Sequence, residues 1–473
     1  MRGLPEIDNI GAVFWQNRST VMRHLSTASE GAQALSQELF RARLDALIDL
    51  SHPLAKLARV MPWAEIDGAI SSTLPPAPVG AGRPALPIRL MAGLLYLKHA
   101  HNLSDEATCE RWLENCYWQY FTGEVYFQTR LPCDPSSFTR WRNRLGEAGL
   151  GELLAQTIEA AKTMRAVTPN ELRRVILDTT VQEKTIAHPT DSRLLEIARQ
   201  KLVKLAQQEG ITLRQSYERE GPKLRRRAGG YAHAKQFKRL KRVLRRQRTV
   251  LGRVIRDIER KIDTATATTA LRTMLERAEQ LRIQHRKAKN KLYALHAPEV
   301  ECISKGKSRQ PYEFGVKVGI AVTARGGLIV GARSFPGNPY DGDTLAEQLE
   351  QAGILSGEKP HTAIVDLGYR GRSLEGVEIL HRGKPKRLTR RQRSWVKRRQ
   401  AVEPVIGHLK DDCRLRRNRL KGALGDGLHV LSCAAGYNLR WLLGWIVLFW
   451  ASMLRLFTGI FGLPNREIGM QAA

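Results

Sequence analysis

RRVILDTT, residues 173–180, is a short apolar, β-branched run that closes on a carboxylate, Asp178. Such a run predicts a buried strand. A second run of the same kind, HTAIVD (361–366), closes on Asp366. Between them lie a helical, basic block at 192–296 and then YEFGVKVGIAVTARGGLIVGARSFPG at 312–337. The latter reads as two strands joined by the turn Ala324-Arg325-Gly326-Gly327, a hairpin signal. DTLAEQLEQAGI (343–354) follows as a helix with Asp343 or Thr344 placed to cap it. After the second strand, a helical stretch from about 390 to 412 carries Glu403 within RQAVEPVIGHLKDD (399–412).

That order places the chain in the α/β class and matches a ribonuclease H-like fold. The expected core is a mixed sheet with helices on both faces and a long helical insertion after its first strand. Side chains at the carboxyl ends of neighbouring strands of such a sheet converge on one crevice. Asp178 and Asp366 can therefore meet across 188 residues of sequence, with Glu403 supplied by the overlying helix. Three carboxylates drawn together can hold two hard divalent cations against a phosphate. Lys410 lies seven positions after Glu403, two helical turns on and on the same face. Arg399 shares that face only if the helix runs unbroken through Pro404. Proline disfavours helical geometry at the preceding residue, so the helix is expected to start or kink at Glu403. Of the other acids nearby, Asp341 and Asp343 read as helix caps, and Asp411 and Asp412 rank below Glu403. His188, His361 and His408 have no Cys or carboxylate at ligand spacing, which argues against zinc.

A chain of 473 residues is expected to form two or three domains. Its 77 Lys and Arg exceed its 46 Asp and Glu, for a net charge of +31, which predicts a polyanionic partner held through phosphates. RNA-binding proteins share that signature. Six scattered cysteines read as reduced intracellular thiols, and the N-terminus does not read as a secretory signal. The expected organisation begins with a helical segment and linker at 1–84, containing the Pro- and Gly-rich SSTLPPAPVGAGRPALP (71–87). A helical DNA-binding domain follows at 85–165, with Ser104 as an N-cap and a third helix starting near Ser136. That helix carries Arg140, Arg142 and Arg144; it reads either as a helix-turn-helix-like reader or as a bundle with a solvated basic face. The catalytic domain is expected at 171–440, with its basic insertion at 192–296. Within the insertion, 223–260 holds fifteen Lys or Arg and predicts one long two-sided helix. Its cationic face (Arg225, Arg226, Arg227, Lys238, Arg239, Lys241, Arg242) is expected to contact nucleic acid. The apolar tail at 441–473 is broken at Arg455 and reads as a packed helix or association surface rather than a membrane span.

Five further words of sequence carry a family resemblance: ILDTTVQEKTIAHPTD (176–191), HAPEVECISKGK with PYEFGVKVGIA (296–321), GNPYDGDTL (337–345), VDLGYRG (365–371) and AVEPVIGHLKDDCRLRRNRLKG (401–422). Together they resemble bacterial insertion-sequence transposases of the DDE class, over most of residues 85–440. The resemblance implies that Asp178, Asp366 and Glu403 are catalytic metal ligands for two Mg²⁺, with Mn²⁺ as a substitute. It implies cleavage of DNA at element ends and transfer of the 3′-hydroxyl into a target. Lys410 and Arg399 would hold phosphates, completing a Tyr, Arg, Glu, Lys pattern in which Val396 stands at the tyrosine position. Tyr369 and Arg370 would touch flanking DNA, or simply form a tight turn with Gly368 and Gly371. Double-stranded DNA and a homodimer or higher multimer are the implied partners, with no small-molecule cofactor and a cytoplasmic, nucleoid-associated location. The rival readings are a metal-dependent nuclease that cuts without joining and a non-catalytic DNA-binding derivative.

Overall fold

The computed structural model describes residues 42–74, 85–262, 267–285, 288–304, 311–383 and 388–460, the last seven as backbone only. Most of the 1–84 segment and its linker, and the tail beyond 460, therefore lie outside the described residues. The N-terminal part is helical: α1 (Leu44–Leu47), α2 (Pro53–Val60), α3 (Trp63–Thr73), α4 (Ile88–Ala100), α5 (Asp105–Glu114), α6 (Cys116–Phe121) and α7 (Ser136–Thr163). Ser104 caps α5 as expected, its hydroxyl accepting from the Ala107 amide at 3.1 Å. Asp134 caps the start of α7 by accepting from the Ser136 amide at 2.8 Å. A kink at Gly146, whose φ is 64°, divides α7. Helix α4 is apolar nearly all round and is buried from Leu90 to Ala100, so it runs through the interior instead of along the surface.

After a single turn, α8 (Pro169–Leu172), comes the central strand β1 (Arg174–Glu183). Val175, Ile176 and Leu177 are wholly buried, as an unalternating apolar run requires when both faces of a strand are covered. The helical insertion follows as α9 (Asp191–Gln208), α10 (Glu220–His233), α11 (Phe237–Glu259) and α12 (Thr269–Ile283). Where one helix was expected over 223–260, the structure has two. Gly229 and Gly230 weaken the last turns of α10, and Lys235 turns left-handed (φ 54°) to separate it from α11. The insertion has its own core, in which Leu194, Leu195, Ala198 and Leu202 meet Leu251, Val254, Ile255 and Ile258, with Leu271 and Met274.

Strands β2 (Glu301–Ser304), β3 (Tyr312–Thr323) and β4 (Ile329–Phe335) come next, followed by α13 (Leu345–Ser356), β5 (Thr362–Ile364) and β6 (Glu378–Leu380). The hairpin at 324–327 joins β3 to β4 as expected. The result is a mixed sheet. β3 pairs antiparallel with β4, β2 and β1, and β1 pairs parallel with β5, which pairs parallel with β6. Helices α14 (Arg390–Arg398), α15 (Val402–Asp411) and α16 (Gly422–Ile460) follow and are the last elements among the described residues.

Helix α16 packs on α7, α4 and β4. It remains buried as far as Ile446, so the boundary expected at 441 falls inside a continuous helix. One cluster of buried side chains reaches from Leu54 through the sheet to Ile446, joining the N-terminal helices to the sheet in a shared core. No helix among the described residues is long and apolar enough to cross a membrane.

Candidate active site

Asp178 does not stand at the end of its strand: β1 continues five residues past it, to Glu183, still paired with β3. The parallel strand β5 is what stops early. The last parallel pair is Ile176 with Ile364. Asp178 and Asp366 each follow that pair by two residues, so they stand level, on the same face, where β1 has lost its parallel neighbour. Beyond β5 the chain turns through Leu367–Tyr369, fixed by the Gly368 amide donating to the Asp366 carboxylate at 2.9 Å. A Cβ on Gly368 would lie 3.0 Å from that same oxygen and 3.2 Å from an oxygen of Asp341.

The third acid arrives over this edge. The break expected near Pro404 occurs just before it: α14 ends at Arg398, Arg399–Ala401 form a single tighter turn, and α15 starts at Val402. Buried Val402 and Val405 anchor this start, leaving Glu403 in the first turn with a 60% exposed side chain. Despite the break, Arg399 and Glu403 remain on one side. The Arg399 guanidinium lies 2.8 Å from Asp178, 3.4 Å from Glu403 and 3.9 Å from Asp366. One cation thus touches all three carboxylates. Its remaining nitrogen, Nε, is buried and has no hydrogen-bond partner among the described residues.

A fourth carboxylate, not singled out by the sequence, borders the site. Asp341, expected to cap a helix, instead accepts from the hydroxyl of Thr179 and from the Lys317 ammonium, each at 2.9 Å. It supports the residue next to Asp178. Only the strand register, which sets Thr179 opposite Gly319 near Lys317, could have suggested this. Asp343 pairs with Arg372 at the surface.

The residues expected to contact DNA are placed variously. Lys410 is 5% exposed and donates to buried Glu313 on β3 at 3.3 Å, away from Ile320, the residue opposite Asp178. Tyr369 is buried, its hydroxyl 3.2 Å from the Gln348 amide nitrogen, and burial pushes its pKa up. Arg142 is buried in a bidentate pair with Asp105, both hydrogen bonds at 3.1 Å, which also takes in Lys98. Arg140, Arg144 and Arg370 are at the surface, as are Arg225, Arg226, Arg227, Lys238, Arg239, Lys241 and Arg242 on α10 and the first half of α11.

The donor set is hard oxygen, the kind Mg²⁺ takes, and a positive charge already lies among the three carboxylates. They are arranged around a guanidinium, however. Among the described residues no three His, Cys, Asp or Glu side chains are close enough together to hold a metal ion as they stand. The carboxylate oxygens suit a divalent cation in kind, and Arg399 stands in the middle of them.

Residues 42–144 match the family described as Transposase domain (DUF772), and residues 282–439 match the family described as Transposase DDE domain. An uncharacterised protein, ORF8 of the nfe locus of Rhizobium meliloti, is 52% identical over 200 residues, which is 42% of this chain and 95% of that protein. No solved structure matches.

Proposed function

The chain belongs to the insertion-sequence transposases of the DDE class, and from that membership we propose that it cuts DNA at element ends and joins the freed 3′-hydroxyl to a target. The observation that carries this reading is the convergence of Asp178, Asp366 and Glu403 on the single guanidinium of Arg399. The sheet order, with β1 between an antiparallel hairpin and two parallel strands, supports a ribonuclease H-like catalytic core.

Asp178, Asp366 and Glu403 would hold the divalent cations, which supply Lewis acidity and charge neutralisation to an in-line displacement at phosphorus. The two aspartates are fixed by β1 and by the Gly368 turn, whereas Glu403 approaches from a helix start and can adjust. In the first step a water oxygen attacks phosphorus at the element end, the P–O3′ bond breaks and a 3′-hydroxyl is released. In the second, that hydroxyl attacks a target phosphodiester and a target 3′-oxygen leaves. With a divalent cation bound among the acids, the Arg399 guanidinium would be available to hold a phosphate oxygen beside them. Arg370 and the exposed cations of α10 and α11 would hold the flanking duplex, and Asp341 would support Asp178 through Thr179.

The test uses the purified full chain, Mg²⁺, labelled duplexes carrying the inverted repeats that flank its gene, and a plasmid target. Cleaved ends and plasmid-joined product are expected. Asp178→Asn, Asp366→Asn and Glu403→Gln should each reduce both by about 10³-fold or more, since each removes several kcal/mol of transition-state stabilisation. Persistent cleavage without joined product would favour a nuclease, and unchanged cleavage in all three variants would refute the site.

A further inference from the structure

We propose that the seam between the helical insertion and the catalytic core is a second phosphate-binding groove, distinct from the three-carboxylate site, that grips a DNA backbone or another polyphosphate chain. The groove is a cavity of about 560 Å³ between α9 and α12. Lys201, Lys204, Leu205 and Gln208 line it from one face of α9, at spacings of three, four and seven residues. Thr269, Ala270, Thr273, Met274 and Arg277 line it from the facing side of α12, the small residues there leaving the space open. Leu205, Met274 and Leu295 provide apolar floor.

The charge is of one sign. Lys201, Lys204, Arg277 and Lys421 line the cavity beside His296, and among the described lining residues there is no Asp or Glu. Lys421 belongs to the catalytic core, immediately before α16, so the cations come from both sides of the seam. That side is held rigidly: the Gly422 amide donates to Glu299 at 2.8 Å, and Lys184 at the end of β1 pairs with Glu299 at 3.0 Å and Asp426 at 2.7 Å. Glu299 is held there by Lys184 and the Gly422 amide, and its charge also reaches His296. Burial, then the neighbouring Lys201 and Lys421 charges, hold the His296 pKa below its ordinary value, against the opposing pull of Glu299. Exposed ammonium groups above an apolar floor suit a chain of phosphates with sugars between them. The groove also lies off the basic stretch at 223–260 and adds an independent surface to it.

The test compares the full chain with Lys201→Ala/Lys204→Ala/Lys421→Ala and with the Lys→Arg triple at the same positions. Binding of a 30-base-pair duplex would be followed by fluorescence anisotropy across a salt series, and binding of inorganic tripolyphosphate by calorimetry. Each phosphate that the protein no longer neutralises lowers the log–log salt slope by about 0.9. Removing three such ammonium–phosphate pairs weakens duplex binding by about 10²-fold at 0.15 M salt on the same relation, and the arginine triple should retain binding. Loss of tripolyphosphate binding with unchanged duplex binding would identify a free polyphosphate as the occupant. Unchanged binding of both overturns the proposal. Asp178→Asn, run alongside, should lose cleavage but keep duplex binding, so failure of the groove and failure of the transposase reading give different results.

Discussion

Removing the guanidinium should strengthen metal binding while abolishing catalysis. In Arg399→Gln the three carboxylates lose their shared cation. Fully buried pairs cost about 3–5 kcal/mol to break and exposed ones about 0–1. With Arg399 18% exposed, Asp178 14% and Glu403 60%, the interaction lies between these limits. The orphaned Nε of Arg399 costs part of what the pair gains. About 2 kcal/mol is a reasonable opening cost for the wild-type site, discounted for the solvent around Glu403. Metal entering the wild type must meet that cost, whereas in Arg399→Gln it does not. The apparent Mg²⁺ affinity measured by calorimetry without DNA should therefore rise about 30-fold, at about 1.4 kcal/mol per tenfold. Lowering the local charge by one would itself favour a cation. Arg398→Gln controls for this, since Arg398 binds the Ala324 and Arg325 carbonyls at 2.9 and 2.7 Å and does not touch the acids. Equal gains in both variants, or no gain in Arg399→Gln, would refute the idea that the guanidinium occupies the metal's place.

Lys410→Met separates a buried partner from a phosphate ligand. It leaves the Glu313 carboxylate buried without its cation, so chemical denaturation should show a loss of about 3–5 kcal/mol; unchanged stability with weakened DNA binding would restore Lys410 to the phosphates. Acid should begin to destabilise the fold at a pH above the ordinary carboxylate range. Burial, aided by Arg111 and Arg440, lowers the His101 pKa to about 4, and the buried His429, bonded to the Arg414 carbonyl, is held down to about 3. Between about pH 4 and 6.5 the unfolded chain binds more protons than the folded one, so stability rises with pH across that window. His101 alone accounts for about 3 kcal/mol, and His101→Gln should flatten that part of a urea-denaturation series measured at several pH values.

The three acids were legible because each sits in a local word whose chemistry and periodicity are visible without the fold: apolar runs closing on Asp178 and Asp366, and a proline-marked helix start at Glu403. What was not legible depended on register or on which side of a helix faces the core. Lys410 shares a helical face with Glu403 by counting, but Leu409 beside it is wholly buried. The start of α15 points Glu403 outward, while the helix end sinks Lys410 beneath β3. Arg142 sits among arginines in a helix that looks like a DNA reader, yet its place is set by Asp105, 37 residues earlier. Asp341 reads as a cap because caps are local, and its true partners, Thr179 and Lys317, come together only through β1–β3 pairing. In the insertion, the density of basic residues was plain, but the groove it forms with Lys421 spans more than two hundred residues from Lys201. Ionic partners chosen across a fold leave no spacing in the sequence. For that reason the convergence of the acids could be anticipated from two apolar runs and a helix start, while the cations around them were sorted into core, site and surface only by the structure.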